Sequence, residues 1–181
     1  SRMNDELILV DVDDKEVGYQ DKASVHREGK LHRAFSVFLI CDGKMLVQKR
    51  NKNKYHSGGK LANACCSHPR KGEALQEAVH RRMQEELGMD CEIEELFDFV
   101  YFSQYGEELF EYEYDHVFLG EYGGEISADP EEIESVEWIE LGELKERLRK
   151  EPRDFATWFL IAAPKVIGIW EKRNKKYKER N

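Results

Sequence analysis

The segment from Asn63 to Gly88 constrains the fold of this chain most, because it places two adjacent cysteines directly before a helix with charges on its apolar side. At about 100° of rotation per residue, one apolar stripe is formed by Leu75, Ala78, Val79 and Met83. Arg82 and Glu86 fall within that stripe. Burying such charges costs several kcal/mol unless they meet partners. We therefore expect either a structural buried ion pair or a site that holds a cation and an anion.

The length of 181 residues favours one domain with a proper core. We interpret residues 1–181 as a single catalytic domain. Residues 1–2, ahead of Met3, are interpreted as an expression remnant. Residues 3–30 are assigned to an N-terminal extension, and residues 165–181 to a C-terminal helical tail.

Net charge and cysteine content exclude some classes of function for this chain. The formal net charge of −9 argues against a general binder of nucleic acids or membrane surfaces. The amino terminus shows no signal-peptide pattern, and no apolar run is long enough to span a membrane. The four cysteines suggest no disulfide framework. These features predict a reducing, cytoplasmic setting.

Strand patterns occupy the first third of the chain. Residues 7–12 predict a strand, followed by a polar segment with Gly18 as a turn. Residues 33–40 alternate as a strand does, and Asp42-Gly43 is a strong hairpin signal before a second strand at residues 44–50. Residues 51–60 form a basic, glycine-containing loop, which is either a solvated segment or part of an anion site.

Further strands and helices are predicted after the central helix. Strand patterns cover residues 91–105, 110–122 and 136–139. An amphipathic helix is predicted at residues 141–150. A second, apolar helix is predicted around residues 155–163, and Pro164 is expected to kink it or to open a new helix.

The six histidines divide into two groups. His56, His80 and His116 are interpreted as residues without a functional role. The others could form a nitrogen- and oxygen-rich site for a divalent transition metal, because two glutamates one strand pitch apart repel each other unless a cation lies between them. The candidate ligands are His26, His32, His68, Glu111 and Glu113. The alternative, from local sequence alone, is that each histidine is a separate surface or core residue.

The stretch SHPRKGEALQEAVHRRMQEELGM resembles the Nudix box, a glycine-x5-glutamate-x7-arginine-glutamate-apolar-x-glutamate-glutamate-x-glycine pattern. The matching positions are Glu73, Arg81, Glu85, Glu86 and Gly88. Ser67 replaces the first glycine, and Arg82 replaces the glutamate after the arginine. The resemblance implies an α/β (α+β) Nudix-like fold, a mixed central β-sheet sandwiched between helices. It also implies a metal platform weakened for hydrolysis by Arg82.

Three further motifs make the resemblance more specific. NACCSHP, the EYE triplet at residues 111–113 and HRAFSVFL together resemble the type I isopentenyl-diphosphate isomerases, a family with a modified Nudix fold. The resemblance extends from about Lys22 to Trp158. It implies an isomerase of isoprenoid biosynthesis that interconverts isopentenyl and dimethylallyl diphosphate.

The same resemblance implies roles for particular residues. Cys66 and Glu113 resemble the catalytic thiol and carboxylate, with Tyr101 beside Glu113. The ligands of a transition metal, Mn²⁺ or Zn²⁺, are implied to be His26, His32, His68, Glu111 and Glu113. Glu86 matches a Mg²⁺ ligand that acts through the substrate diphosphate. Diphosphate-binding positions are matched by Lys22, Arg50, Lys54, Ser67 and Arg82, and a pocket-covering aromatic by Trp158.

These residue types suit the transfer of a double bond. The reaction needs one group to protonate an alkene and another to remove a proton from the far side of the allyl unit. Cys66 is expected to be a thiolate base, with a pKa lowered by nearby cations. Trp158 is expected to face the carbocation. A small-molecule isoprenyl diphosphate is the expected partner, with no nucleic acid or membrane, and the protein is expected to be a monomer or weak homo-oligomer.

Three other functions fit parts of the sequence. A Nudix hydrolase of a diphosphate-containing substrate would need a complete glutamate platform, and Arg82 speaks against it. A non-catalytic binding module with a structural Cys/His zinc site would unfold on chelation. An acyl-transfer pair of Cys66 and His68 is conceivable, although two residues apart on a loop they are poorly placed.

Overall fold

One mixed β-sheet organises the chain. The computed structural model describes residues 5–175. Over those residues the elements are β1 (Glu6–Val10), β2 (Glu16–Asp21), α1 (Lys22–Glu28), β3 (His32–Cys41), β4 (Lys44–Arg50), β5 (Leu61–Asn63), β6 (Cys65–Ser67), α2 (Leu75–Leu87), β7 (Glu94–Gln104), β8 (Phe110–Glu121), β9 (Ile133–Glu140), α3 (Leu141–Lys150) and α4 (Thr157–Arg173).

Strand β3 is the centre of the sheet. It pairs with β8 in parallel, with His32 opposite Glu113 and Ser36 opposite Val117. On its other side it pairs antiparallel with β6, where Ser36 lies opposite Cys66. Strands β7, β4, β5, β9, β1 and β2 extend the sheet through antiparallel pairs. The predicted mixed sheet is therefore confirmed.

Helices cover both faces of the sheet. Val37 and Leu39 of β3 belong to a core that includes the buried stripe of α2. Phe38 and Ile40, which alternate with them, belong to a second core built on α3 and α4. Alternate side chains of a strand point to opposite faces, so one apolar strand supplies both cores. The predicted sandwich of helices around the sheet is confirmed.

The hairpin between β3 and β4 turns where the sequence predicts. Asp42 and Gly43 have φ values of 51° and 74°. Positive φ at both central residues is what a type I′ turn requires, and asparagine, aspartate and glycine adopt it most readily. The prediction of a hairpin at this position is confirmed.

The N-terminal region differs from its prediction. Gly18 is not a turn; it lies inside β2, opposite Leu9 of β1. Helix α1, which the sequence did not predict, follows directly. The Asp21 side chain accepts a hydrogen bond from the Ser24 backbone N–H at 3.0 Å, which starts the helix, and Gly29 ends it with φ of 68°.

Helix α4 also departs from the prediction. It runs without interruption from Thr157 to Arg173 and includes Pro164, so no new helix begins there. Pro164 lies on the exposed side of the helix, while Ala163 and Val166 are buried in the core. Burial of the opposite side of the helix offsets the missing backbone hydrogen bond.

Other boundaries shift by a few residues. Strand β7 is continuous and starts at Glu94, and β9 is longer than predicted, whereas α3 matches its predicted range. The proposed remnant at residues 1–2 lies outside the described residues. Of the proposed tail at residues 165–181, residues 165–173 belong to α4, and residues 176–181 lie outside the described residues. Among residues 5–175, no helix has the length and apolar character needed to span a membrane.

Candidate active site

A cavity of about 80 Å³ lies where the N-terminal ends of β3, β8 and α4 meet. A wider cleft of about 620 Å³ shares part of its lining with this cavity. The structure thereby brings together most of the predicted site residues: Lys22, His26, Arg50, Lys54, Cys66, Ser67, His68, Arg82, Tyr101, Glu111, Glu113 and Trp158. His32 and Glu86 lie behind the lining, 0 % and 4 % exposed.

Three histidines from separate elements converge beside the cavity. The Nδ1 atoms of His26 and His32 lie 2.8 Å and 2.9 Å from the backbone oxygens of Lys22 and Lys30. A proton on each Nδ1 leaves the buried Nε2 as an acceptor, and neither Nε2 has a hydrogen-bond partner within the described residues. One ring nitrogen each from His26, His32 and His68 lies within 4.8 Å of the others. Such orphaned nitrogens suit a divalent metal.

Two buried glutamates complete this arrangement. Glu113 Oε2 lies 3.0 Å from His68 Nε2 and 3.3 Å from His32 Nε2. Although burial alone would raise the pKa of Glu113, the contacts with the two histidines hold it well below its usual range. Burial and the charge of Glu113 would raise the pKa of Glu111, but its contacts with His26 and His56 lower it to about 2. Both side chains are therefore carboxylates, as metal ligands must be.

Tyr101 bridges the two glutamates. Its hydroxyl donates to Glu113 Oε1 at 2.7 Å and also contacts Glu111. Burial and the neighbouring carboxylates raise the pKa of Tyr101 well above its usual value. The hydroxyl therefore keeps its proton and acts as a hydrogen-bond donor to the Glu113 carboxylate.

Cys66 departs from the expected protonation state. Its thiol lies 3.1 Å from Oδ1 of Asn63. Burial, followed by the charge of Asp115, raises the thiol pKa, and the nearby Arg50 offsets this only in part. The expectation of a thiolate favoured by nearby cations is wrong for the free protein, in which Cys66 is a neutral thiol.

Asp115 adds a buried acid two residues beyond Glu113 on β8, and the sequence did not single it out. Its carboxyl group accepts from the Ser36 hydroxyl at 2.9 Å and 3.1 Å and is 1 % exposed. Burial and the charge of Glu113 raise the pKa of Asp115 well above its usual value. Glu113 and Asp115, two residues apart on β8, thus have pKa values shifted in opposite directions.

Trp158 lines the cavity, and two contacts fix its side chain. Its indole N–H donates to Asn63 Oδ1 at 3.0 Å, and the Arg50 guanidinium lies 5.0 Å from the ring centroid. Asn63 is fully buried and holds its own position by donating to the backbone oxygens of Val37 and Cys65, both at 2.9 Å. The sequence did not single out Asn63, although it begins the NACCSHP motif.

Positive side chains form the wall between the cavity and the cleft. Lys54 pairs with Glu132, and Arg82 Nη2 lies 3.8 Å from the same carboxylate. Burial and the charge of Lys54 lower the pKa of Lys22. Mutually repelling cations of this kind favour a bound anion. Glu132 lies 46 positions beyond Glu86 along the chain, and no local pattern marked it as part of the site.

Arg82 and Glu86 occupy the buried side of α2, as predicted. Arg82 donates to Glu86 Oε2 from Nε at 3.1 Å and from Nη2 at 2.8 Å. The Cys65 thiol donates to the same oxygen at 3.4 Å. The structural ion pair considered from sequence is therefore present, and its arginine faces the cavity.

The remaining Nudix-box residues hold the start of α2. Arg81 donates to Glu73 from Nε at 2.7 Å and from Nη2 at 2.9 Å, and lies 3.1 Å from Glu85. Glu73 also accepts from the backbone N–H of Arg70 at 3.0 Å. These contacts fix the loop that carries Ser67 and His68 onto the helix.

His56 joins the site, contrary to its interpretation as a residue without a role. Its Nε2 contacts Glu111 Oε2, and its ring stacks on Tyr105 with centroids 4.8 Å apart. The other two histidines lie elsewhere: His80 pairs with Asp90, and both ring nitrogens of His116 are bound by carboxylates. His56 was missed because its contacts span 55 positions of sequence.

The described residues do not support the two cysteine-based alternatives. The groups that could hold a metal contain no cysteine: within residues 5–175 they are formed by histidines and carboxylates. His68 Nε2 contacts Glu113, and the Cys66 thiol donates to Asn63, so they do not form a nucleophile–base pair in this state. A structural Cys/His zinc site is therefore wrong for this part of the chain.

Comparison with known proteins identifies the class. The NUDIX domain family matches residues 30–159. A solved structure from Deinococcus radiodurans matches with a TM-score of 0.66 and 21% identity, over 81% of this chain and 90% of that one. A MutT protein from Methanosarcina mazei matches with a TM-score of 0.59 and 18% identity, over 80% and 96%. The fold and the matched family make this chain a member of the NUDIX family.

The relatives at higher identity are more specific. A protein of Aromatoleum aromaticum named isopentenyl-diphosphate Delta-isomerase 2 is 42% identical over 92% of this chain and 88% of its own length. An isopentenyl-diphosphate Delta-isomerase of Burkholderia multivorans is 43% identical over 87% and 90%. The chain belongs to the isopentenyl-diphosphate Delta-isomerase family.

Proposed function

We propose that this chain interconverts isopentenyl diphosphate and dimethylallyl diphosphate. The observation that carries the proposal is that the Cys66 thiol and the Tyr101–Glu113 pair line one cavity. Cys66 lies on β6 beside Ser36 of β3, whereas Glu113 lies on β8 beside His32, and Tyr101 lies opposite Glu113 on β7. The thiol and the carboxylate therefore reach the cavity from opposite sides of β3, with the space between them available to the substrate.

The two groups divide the proton transfers. One proton is added to the terminal carbon of the alkene, which leaves a tertiary carbocation, and one proton is removed from the carbon nearer the diphosphate. We assign the first transfer to Glu113, with Tyr101 relaying or orienting the proton, and the second to Cys66. A divalent metal at this site would draw charge from Glu113 and make its proton more acidic.

The protonation states of the free protein correspond to one stage of this cycle. Addition of a proton from the Glu113 side and its removal by Cys66 leave a carboxylate and a thiol. Those are the states that burial and the histidine contacts favour here. Each forward turnover therefore requires a proton to return to the Glu113 side and a proton to leave Cys66.

The cationic wall supports binding of the diphosphate. We assign this role to Lys22, Arg50, Lys54, Ser67 and Arg82, all of which line the cavity. Guanidinium and ammonium groups bind phosphate oxygens through charge-assisted hydrogen bonds. Mg²⁺ is the proposed partner of Glu86. Since Glu86 now binds Arg82, we expect the bound diphosphate to compete for that arginine.

Trp158 supports the proposed carbocation step. A carbocation in contact with water is trapped as an alcohol, so the cavity must be closed to solvent. Trp158 is 3% exposed and lines the cavity. An aromatic face stabilises a neighbouring cation by up to about 2 kcal/mol when desolvated.

The transition metal is proposed to be Mn²⁺ or Zn²⁺, since imidazole and carboxylate ligands suit both ions. Residues His26, His32, His68, Glu111 and Glu113 would hold it. The four cysteines are free, and we propose a cytoplasmic, reducing setting that keeps Cys66 as a thiol.

Hydrolysis of a diphosphate is the alternative within the same family. Arg82 stands where the Nudix pattern has a glutamate, so the platform has one carboxylate fewer, and its guanidinium also engages Glu85. One experiment separates the two activities. The protein is incubated with isopentenyl diphosphate and Mg²⁺ in D₂O, and the products are followed by NMR. Formation of deuterated dimethylallyl diphosphate supports the isomerase. Release of free phosphate, with no dimethylallyl diphosphate formed, supports the hydrolase.

A further inference from the structure

His56 faces the metal-binding group from the basic loop between β4 and β5. One ring nitrogen of His56, one of His26 and one carboxylate oxygen of Glu111 all lie within 4.8 Å of one another. The His56 Nε2 atom contacts Glu111 directly. Its side chain is 10% exposed, so the ring lies inside the site and not on the surface of the loop.

Aromatic neighbours fix the orientation of this ring. The Tyr105 ring stacks on the His56 ring at an interplanar angle of 14°. The Trp158 ring is perpendicular to the His56 ring, at 90°, with the ring centroids 6.0 Å apart. The Nδ1 atom lies 3.4 Å from the Ser57 hydroxyl. These contacts leave Nε2 as the ring atom that points at Glu111.

The position next to His26 makes this orientation significant. The rings of His26 and His56 are 6.1 Å apart, and His26 Nε2 has no hydrogen-bond partner within the described residues. Two imidazoles and a carboxylate converging in this way form a set that divalent transition metals favour. We propose that His56 is a metal ligand, bound through Nε2, at the Glu111 end of the histidine cluster.

Metal binding by His56 would also restrain the loop between β4 and β5. The Arg50 guanidinium donates to the His56 backbone oxygen at 3.3 Å, and Lys54 on the same loop pairs with Glu132. A metal bound to His56 would therefore fasten residues 51–60 to the site. The same ion would hold the loop that carries Lys54 beside the cavity. This inference deepens the proposed function, on which the diphosphate role of Lys54 rests, but metal ligation by His56 is measured independently of turnover.

The direct test uses the full chain loaded with ¹¹³Cd²⁺ and labelled with ¹⁵N-histidine. A one-bond ¹¹³Cd–¹⁵N coupling appears only for an imidazole bound to the ion. We expect His56 Nε2 to show this coupling, in addition to His26, His32 and His68. The His56→Ala variant should lose one coupled resonance, and the control His80→Ala should lose none. Absence of a coupling on His56 in the wild-type protein would overturn the proposal and leave His56 as a hydrogen-bonding partner of Glu111.

Trypsin digestion gives a second readout that does not require the variant to be active. The loop contains Lys52, Lys54 and Lys60 as cleavage sites. Zn²⁺ should slow cleavage of this loop at least tenfold in the wild-type and His80→Ala proteins, but not in His56→Ala. Equal protection in His56→Ala would contradict the inference. The D₂O assay for isomerisation is run separately, so failure of one idea does not imply failure of the other.

Discussion

The Sγ atom of Cys66 lies 3.1 Å from Oδ1 of Asn63, and the same oxygen accepts the indole proton of Trp158 at 3.0 Å. One buried amide thus positions both the proposed base and the aromatic cover. Its two N–H groups are also used, by the backbone oxygens of Val37 and Cys65. Asn63 is therefore a positioning residue: it acts on the reaction only through Cys66 and Trp158.

Replacing Asn63 tests this relationship. Asn63→Ala should lower kcat by about 100-fold, because a reacting group displaced by about 1 Å loses rate on that scale. KM should change little, since Asn63 does not line the cavity. Trp158→Phe is the matched control, because it removes one donor but leaves the amide beside Cys66. Steady-state kinetics on folded protein measure both, and a rise in KM at constant kcat would contradict the positioning role.

The proposed acid and base are tested by Cys66→Ala and Glu113→Gln. Each should reduce isomerisation by at least about 10³-fold, because loss of a positioned acid or base removes 10²- to 10⁴-fold of rate. Cys91→Ala, which changes a half-buried cysteine remote from the cavity, should keep normal turnover. Circular dichroism verifies that the variants are folded. Near-normal turnover in either active-site variant would contradict the assignment of Glu113 as the acid and Cys66 as the base.

The Arg82–Glu86 pair allows stability and binding to be separated. Arg82→Met should destabilise the protein by about 3 kcal/mol, because it leaves a buried carboxylate without its partner. The double variant Arg82→Met/Glu86→Gln should recover most of that loss, since neither side chain is then charged. Both variants should bind inorganic pyrophosphate with Mg²⁺ at least tenfold more weakly. Urea titration and calorimetry measure the two quantities, and unchanged pyrophosphate affinity would leave the pair with a structural role alone.

Local patterns predicted much of the fold. The Asp42-Gly43 turn and the apolar stripe of α2 depend on neighbours in sequence, and both were found as expected. Helix α1 was missed because it has seven residues, too few for a periodic pattern. Its signals were the Asp21 cap and Gly29, which a search for helix ends would have found.

The residues of the site were likewise predicted where they belong to a local motif and missed where they do not. Cys66, Ser67 and His68 of the NACCSHP motif and Arg82 of the Nudix box were predicted to lie together, since each motif is continuous in sequence, and all four line the cavity. His56 and Glu132 were missed because their partners Glu111 and Lys54 are brought near them only by the folded sheet. The prediction that Cys66 is a thiolate was wrong for a related reason. Its pKa depends on burial and on Asp115, and neither is visible in the loop that carries the cations.

The metal-free protein should lose stability in acid. Burial lowers the pKa of His68 from 6.5 to about 3, and Glu111 is lowered from 4.5 to about 2. The unfolded chain therefore binds these protons at a higher pH than the native protein does. Stability from His68 is present above pH 6.5 and is lost as pH falls toward 3, and Glu111 adds to the loss between 4.5 and 2.

The titration of His68 and Glu111 sets how steeply the free energy of unfolding changes with pH. One proton difference changes the free energy of unfolding by about 1.4 kcal/mol per pH unit. His32 does not oppose this trend below pH 6.5: burial alone would lower its pKa, but Glu113 raises it, so its contribution is constant there. Asp115 does oppose the trend, because burial raises its pKa, but its contribution is common to the wild-type protein and the variants. Urea unfolding of chelated protein between pH 7 and 4 should show the slope, and His68→Gln should reduce it. His80→Gln, at an exposed pair with Asp90, should leave it unchanged. A slope that persists in His68→Gln would assign the acid sensitivity to other groups.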